Sequence, residues 1–125
     1  MDRACAGLTA LVDGLLSNET VVNLRLGENA LEAKAAQVLA RLMRGNHTLT
    51  SLDLRENKIG DEGCAALGEA LGVNRGLRCL VLWSNDIGGA GISGLATGLA
   101  ANSSLQILDM GDNRVDEAVS AAPTI

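Results

Sequence analysis

The fold of this chain is decided by residues 49–76, LTSLDLRENKIGDEGCAALGEALGVNRG. The first half of this stretch places leucines at positions 49, 52 and 54, a spacing typical of a short strand that turns a corner. The second half places a glycine and two leucines four residues apart, at positions 63, 67 and 71, which is the spacing of one apolar helix face. The stretch therefore predicts one strand followed by one helix.

This unit recurs with a period of 28 residues. An asparagine follows each predicted strand at that interval, namely Asn29, Asn57, Asn85 and Asn113. The apolar strand positions repeat in step as Val21, Leu24, Leu26; Leu49, Leu52, Leu54; Leu77, Leu80, Leu82; and Leu105, Leu108, Met110. The helical positions repeat as Gly7, Ala35, Gly63, Gly91; Leu11, Leu39, Leu67, Leu95; and Leu15, Met43, Leu71, Leu99. Internal repetition at such a period indicates a solenoid, in which each repeat packs on its neighbours.

The pattern LxxLxLxxN(x)[LI]xxxGxxxLxxxLxxN, carried by residues 7–119, resembles the leucine-rich repeats of the ribonuclease-inhibitor type. Similar repeats occur in NOD-like receptors, in Ran GTPase-activating proteins and in several cytoskeletal and ciliary proteins. The resemblance implies an α/β fold, a right-handed leucine-rich-repeat solenoid that forms a horseshoe segment. In this fold a parallel β-sheet lies on the concave side and α-helices lie on the convex side.

We expect one domain over residues 1–125, with a partial helical repeat at 1–20, full repeats at 21–48, 49–76 and 77–104, and a partial terminal repeat at 105–125. The asparagine amides should satisfy backbone groups of the turn and of the neighbouring repeat. After Val115 no leucine-spaced helix follows, and Ala121, Ala122 and Pro123 break the pattern. We expect either a fragment of a longer array or a small protein that covers its ends by self-association, because an uncapped solenoid exposes its last core layer and a strand edge.

Composition excludes several kinds of partner. The net charge of −5 argues against nucleic acid or an anionic membrane surface, since both require basic patches. No signal region and no apolar run long enough to cross a bilayer is apparent in the sequence. The three cysteines, Cys5, Cys64 and Cys79, lack metal-type spacing and cannot pair off completely, which favours a reduced, cytoplasmic protein.

Strand residues that alternate with the leucines should face outwards on the concave surface. Trp83 is the only aromatic residue of the chain and falls in such a position. We predict a partner-binding surface that comprises Trp83, Arg55, Arg25, Asp53, Val81, Asp109 and Glu56, because tryptophan and arginine are the commonest interface anchors. The alternative is a tryptophan that lies flat on Val81 and Arg55 and contacts no partner.

Charged residues of the same surface permit several interpretations. Arg25 could pair with Asp53, and Arg55 with Glu28 or Glu56, although exposed ion pairs contribute only about 0–1 kcal/mol. An acidic column formed by Glu28, Glu56 and Asp112, together with Asp53 and Asp109, could attract a basic partner or could simply be solvated. Calcium would require a convergent loop of oxygen ligands, which the sequence does not contain.

Three other motifs are better explained by the repeat. Gly89, Gly91 and Gly94 match the GxGxxG pattern of dinucleotide sites, but they occupy ordinary helix-start positions of the repeat. The sequons at Asn18, Asn46 and Asn102 recur where each helix ends, which predicts turn chemistry rather than glycosylation. His47 is the only histidine, so no triad or histidine metal cluster can form around it. We expect no cofactor and no metal.

The predicted function is therefore non-enzymatic recognition of a protein partner through the concave sheet. One alternative is an assembly segment of a larger receptor or ciliary scaffold. A second alternative is a GTPase-activating module in which Arg25 or Arg55 would be catalytic, although the distinctive residues of that family cannot be matched here.

Overall fold

Helices and strands alternate along the chain in the computed structural model, which describes residues 3–114. The elements of this part are α1 (Arg3–Leu15), β1 (Asn23–Arg25), α2 (Ala33–Gly45), β2 (Ser51–Asp53), α3 (Gly60–Leu71), β3 (Cys79–Val81), α4 (Gly89–Ala101) and β4 (Ile107–Asp109). The predictions made for Val115 and for Ala121, Ala122 and Pro123 lie outside the described residues. Within residues 3–114, none of the helices combines the length and the apolar character needed to span a bilayer.

The strands form one parallel sheet in chain order, β1-β2-β3-β4. Residues 28 apart are direct partners, as in the row Leu24, Leu52, Leu80 and Leu108. The ladder continues beyond the three-residue strands, since the backbone N–H of Glu56 donates to the carbonyl of Trp83 at 2.8 Å. The predicted α/β leucine-rich-repeat solenoid is thus confirmed.

The core lies between the sheet and the helices and is filled by aliphatic side chains. Those of the two central strands are completely buried, with 0% exposure at Leu52, Leu54, Leu80 and Leu82. The equivalent residues of β1 and β4 are half-buried, because each of these strands has a neighbouring strand on only one side within the described residues. The central repeats therefore contribute most of the apolar burial.

Helix α1 differs from the repeat pattern. The repeat predicts that Leu11 faces the core, but its side chain is 41% exposed. The buried residues of α1 are instead Cys5, Leu8 and Val12. Among the described residues α1 packs on one helix only, α2, whereas α2 and α3 each pack on two. A position that is enclosed from both sides in α2 is therefore open to solvent in α1.

The asparagines that follow the strands connect adjacent repeats. Asn57 Oδ1 accepts hydrogen bonds from the backbone N–H groups of Asn29 at 2.9 Å and Leu31 at 3.0 Å. Asn57 Nδ2 donates to the carbonyls of Leu26 and Leu54 at 3.0 and 2.9 Å. The predicted role of this asparagine is confirmed, because a single amide satisfies the turn of its own repeat and the turn of the preceding one.

A second row of asparagines stands where the helices end, at Asn18, Asn46, Asn74 and Asn102. Asn46 Oδ1 accepts from the N–H groups of Thr48 and Leu49, both at 2.9 Å. Asn46 Nδ2 donates to the carbonyl of Leu15 at 2.8 Å and to that of Asn18 at 3.1 Å, both in the preceding repeat. The sequon-like residues therefore have the turn role that the sequence predicts.

Helices α3 and α4 approach closely through glycines. A Cβ atom at Gly98 would overlap the backbone carbonyl of Gly68, and one at Gly94 would lie 2.7 Å from the Cβ of Ala65. Within GxGxxG, Gly91 and Gly94 are thus needed for helix packing, since a Cβ at Gly91 would lie 3.0 Å from the Cα of Asp61 in α3.

Candidate functional site

The candidate site is the face of the sheet that the helices leave uncovered, here called the open face. Along each strand the middle residue is the most buried of the three, and the flanking residues are exposed or half-buried. The open face carries three columns of side chains, namely Asn23, Ser51, Cys79, Ile107; Arg25, Asp53, Val81, Asp109; and Gly27, Arg55, Trp83, Gly111. Neighbouring strands are about 4.8 Å apart, so adjacent members of a column are within contact range.

The structure therefore places the seven predicted residues on or beside one surface. Arg25, Asp53, Val81 and Asp109 are direct strand partners. Glu56 is the residue that follows Arg55, a member of the third column. A depression of about 490 Å³ covers the part of this face near β1 and β2, lined mainly by Arg25, Asp53 and Arg55 together with their neighbours.

Arg55 and Asp53 form the tightest ion pair on the open face. Arg55 Nη2 lies 2.7 Å from Asp53 Oδ2, and Arg55 Nε donates to the same carboxylate at 2.9 and 3.0 Å. Of the pairings considered for Arg55, neither the one with Glu28 nor the one with Glu56 occurs within residues 3–114. Residues two apart on a strand share a face and lie about 6.6 Å apart, which is within reach of an arginine side chain.

The charges of this pair stabilise each other. Partial burial alone would raise the pKa of Asp53, but the hydrogen bonds and the positive charge of Arg55 outweigh it and hold this pKa below its ordinary value of 3.8. Arg25 lowers the pKa further by its charge. Within residues 3–114, however, Arg25 makes no ion-pair contact with Asp53, so the possible cross-strand pair is not formed.

Trp83 projects from the open face with 37% of its surface exposed. Its ring lies over Gly111, because a Cβ at that glycine would be 2.6 Å from Trp83 Cδ1 and 2.9 Å from Nε1. The ring therefore leans towards β4. Sequence reasoning missed Gly111, although a glycine beside the only large aromatic residue of a column was a usable signal.

Arg55 leans in the opposite direction. A Cβ at Gly27 would lie 2.9 Å from Arg55 Cγ, so the arginine stem occupies the space that this glycine leaves. Between the diverging side chains of Arg55 and Trp83 is a cleft of about 260 Å³, whose other lining residues are Glu56 and Asp109. The pattern of large residues flanked by glycines in the third column creates this cleft.

An acidic rim borders the open face, formed by Glu28, Glu56 and Asp112. Ser84 occupies the same repeat position. All four residues have positive φ angles: 58° at Glu28, 54° at Glu56, 57° at Ser84 and 50° at Asp112. This left-handed conformation is uncommon outside glycine and costs roughly 1–2 kcal/mol per residue. The strands therefore all turn out of the sheet in the same way, and the rim side chains leave the backbone at equivalent positions.

The rim carboxylates interact unfavourably when charged. A hydrogen bond shared with the carboxyl group of Glu28 is the main cause that raises the pKa of Glu56, followed by desolvation and by the charge of Glu28. The charge of Asp112 adds to the same effect, while that of Arg55 opposes it. An added positive charge near Glu56 would relieve this repulsion.

The cysteines and the histidine do not form a reactive centre. Burial, with a smaller contribution from the charge of Asp61, raises the pKa of the Cys64 thiol to about 12. Cys79 is half-buried on the open face, and its thiol is free. His47 lies between repeats, where its Nδ1 accepts the backbone N–H of Arg75 at 3.0 Å. Among the described residues, no group of three or more potential metal ligands converges on one point.

Comparisons with known proteins agree with this architecture. A family model described as "Leucine Rich repeat" matches residues 45–68, 73–96 and 101–117, slightly more than half of the chain. A solved structure titled "Leiomodin-1 Actin-Binding Site 2 (ABS2)" is similar, with a TM-score of 0.80 and 25% sequence identity over 92% of this chain and 69% of that chain. No curated protein sequence matches the chain.

Proposed function

Because the chain belongs to the leucine-rich repeat family, we propose that it is a non-enzymatic module that binds a protein partner through the open face of its sheet. The observation that carries the proposal is Trp83, the only aromatic residue of the chain, which is 37% exposed among charged side chains. Complete burial of a tryptophan removes about 150–250 Å² from water, so a partner that covered Trp83 would gain substantial apolar contact. The proposed contact residues are Trp83, Arg55, Arg25, Asp53, Val81, Asp109 and Glu56.

The rigidity of the open face supports the proposal. Its side chains project from strands that are hydrogen-bonded to both neighbours at β2 and β3. Arg55 is further held by three contacts to Asp53. A surface that is already ordered loses little conformational entropy on binding, which favours affinity.

We propose actin as the first partner to test. The similar solved structure is titled as an actin-binding site of leiomodin-1, and it covers most of this chain. This likeness supports actin as a candidate only, since a shared fold does not imply a shared partner. We also propose that the repeats are of the ribonuclease-inhibitor type, because each described repeat contains a full helix of 12 or 13 residues.

The decisive experiment compares a variant of the open face with a variant elsewhere. The chain would be immobilised and tested for capture of purified actin and, separately, of proteins from a cell extract. Trp83→Ala should lower capture at least tenfold. Val73→Ala should leave it unchanged, because Val73 is also an exposed apolar residue, at 52%, but lies two residues beyond the end of α3.

Two outcomes would contradict the proposal. The first is capture that Val73→Ala abolishes and Trp83→Ala leaves intact, since the binding surface would then lie on the helical side. The second is an absence of any captured protein combined with self-association in sedimentation, which would favour an assembly segment. Circular dichroism of both variants confirms that the fold is retained.

A further inference from the structure

The cleft between Arg55 and Trp83 has the size of one side chain. Its volume of about 260 Å³ is below the range of about 300–1,000 Å³ that holds a drug-sized ligand. The cleft exists because its two large walls lean away from each other, over Gly27 and Gly111. It is therefore built into the third column and does not depend on a loop.

The uncompensated charge of the cleft is negative. The guanidinium of Arg55 is directed to Asp53 by contacts of 2.7 to 3.0 Å, so its charge is largely neutralised. Glu56 and Asp109 supply two carboxylates, and within residues 3–114 neither is in ion-pair contact with a lysine or an arginine. Lys58 lines a neighbouring depression with Glu28 and Glu56 but forms no such contact either.

The remaining wall of the cleft favours a cation as well. The face of an indole ring attracts an ammonium or guanidinium group within about 6 Å of its centre, and tryptophan does so better than tyrosine or phenylalanine. Trp83 is anchored over Gly111 and is partly exposed. An indole and two carboxylates around one gap complement a positive charge that is carried on an apolar stem.

We propose that this cleft receives a lysine or arginine side chain of the protein partner. The stem of that side chain lies against the indole of Trp83, and its charged end lies between the carboxylates of Glu56 and Asp109. This inference rests on the proposed function and adds to it the chemistry of the partner, a basic segment. The repulsion between Glu56 and Glu28 supports it, because a bound cation would relieve that repulsion.

The fluorescence of Trp83 offers a direct test, since it is the only aromatic residue and its emission reports on the cleft alone. The full chain would be titrated with blocked tetralysine, tetra-arginine and tetraglutamate peptides at low ionic strength. We expect a saturable change of emission with tetralysine and tetra-arginine and none with tetraglutamate. Binding should weaken at 0.5 M salt, because exposed charges are then screened over a few ångströms.

Variants assign the effect to the cleft. Asp109→Asn and Glu56→Gln should each weaken tetralysine binding by up to about fivefold, the value of one exposed charge pair. Glu69→Gln is the matched control, because it makes the same change of net charge on α3, where Glu69 is exposed and pairs weakly with Arg44 at 3.4 Å. This control should bind as the unmodified chain does.

The inference is overturned if tetraglutamate binds at least as well as tetralysine, if no basic peptide changes the emission, or if Glu69→Gln weakens binding as much as Asp109→Asn. In any of these cases, the proposed function would still hold if the unmodified chain captures a partner and the Trp83→Ala variant does not. Conversely, a specific response to basic peptides, combined with self-association and no captured protein, would contradict the proposed function and support the chemistry of the cleft.

Discussion

The amide of Asn74 holds two adjacent repeats together, and its removal should be costly. The residue is 4% exposed. Its Nδ2 donates to the carbonyls of Met43 at 2.7 Å and Asn46 at 3.1 Å, both in the preceding repeat. Its Oδ1 accepts from the backbone N–H groups of Gly76 at 3.0 Å and Leu77 at 2.8 Å. Asn74→Ala would leave four backbone groups without these partners.

The size of the effect follows from these four groups. Leaving a buried polar group unsatisfied costs about 1–3 kcal/mol, so even with two of the four rehydrated, Asn74→Ala should lower the free energy of unfolding by about 2–6 kcal/mol. Asn18 provides the matched comparison. It occupies the same repeat position and accepts from Thr20 and Val21, but it donates to no preceding repeat within the described residues. Its bonds are in an exposed to partly buried turn, so Asn18→Ala should cost roughly 1 kcal/mol.

Urea unfolding followed by circular dichroism would measure both values. A chain of this size has a total stability of about 5–15 kcal/mol, so a loss of about 2–6 kcal/mol is easily resolved. The difference between the two variants isolates the hydrogen bonds that cross from one repeat to the next. Equal losses for Asn74→Ala and Asn18→Ala would refute the reasoning, because the cross-repeat bonds would then contribute nothing.

Three further predictions concern packing, pH and thiol chemistry. Gly98→Ala should lower the free energy of unfolding by about 1–3 kcal/mol, because its methyl group would overlap the backbone of α3. Gly7→Ala meets open space in α1 and should raise the free energy of unfolding by up to about 1 kcal/mol in the same urea assay. The lowered pKa of Asp53 means that its contribution of roughly 1 kcal/mol is present above pH 3.8 and is lost as the pH falls through the lowered value. The stability difference between Asp53→Asn and the unmodified chain should therefore disappear in acid, and a difference that grew there would contradict the assignment. A thiol reagent at pH 7 should modify Cys79 before Cys64, because Cys64 is fully buried and its pKa is raised to about 12. Mass spectrometry would give the order of modification. The reverse order would show that α3 opens more readily than the sheet.

The strands, the helices and the parallel arrangement of the strands could be predicted from the sequence, because the same residue pattern recurs in each repeat. Leu52 and Leu80 occupy equivalent positions, and both are fully buried. The same reasoning failed at Leu11, since a repeat pattern carries no information about how many neighbours a given copy has. Exposure at this position depends on the adjacent helix rather than on the residue itself.

The composition of the open face was also predictable, but its contacts were not. Strand periodicity places Trp83 and Arg55 outwards, yet the direction in which each leans depends on which neighbour lacks a side chain. Arg55 pairs with Asp53, two residues away on the same strand, rather than with Glu28 across the sheet. The free energies of alternative exposed ion pairs differ by about 1 kcal/mol or less, and sequence patterns do not resolve such a difference.

The two rows of asparagines have a consequence for how such a chain can change in length. From Asn46 onwards their amides bridge to residues 26, 28 or 31 positions earlier, as from Asn74 to Asn46 and to Met43. An insertion or deletion within one unit would displace the amide at one end from both of its acceptors, whereas gain or loss of one whole unit would restore every bridge to an equivalent partner. The molecule can therefore grow or shrink in steps of a complete turn, and its surface columns become longer or shorter without a change in their spacing.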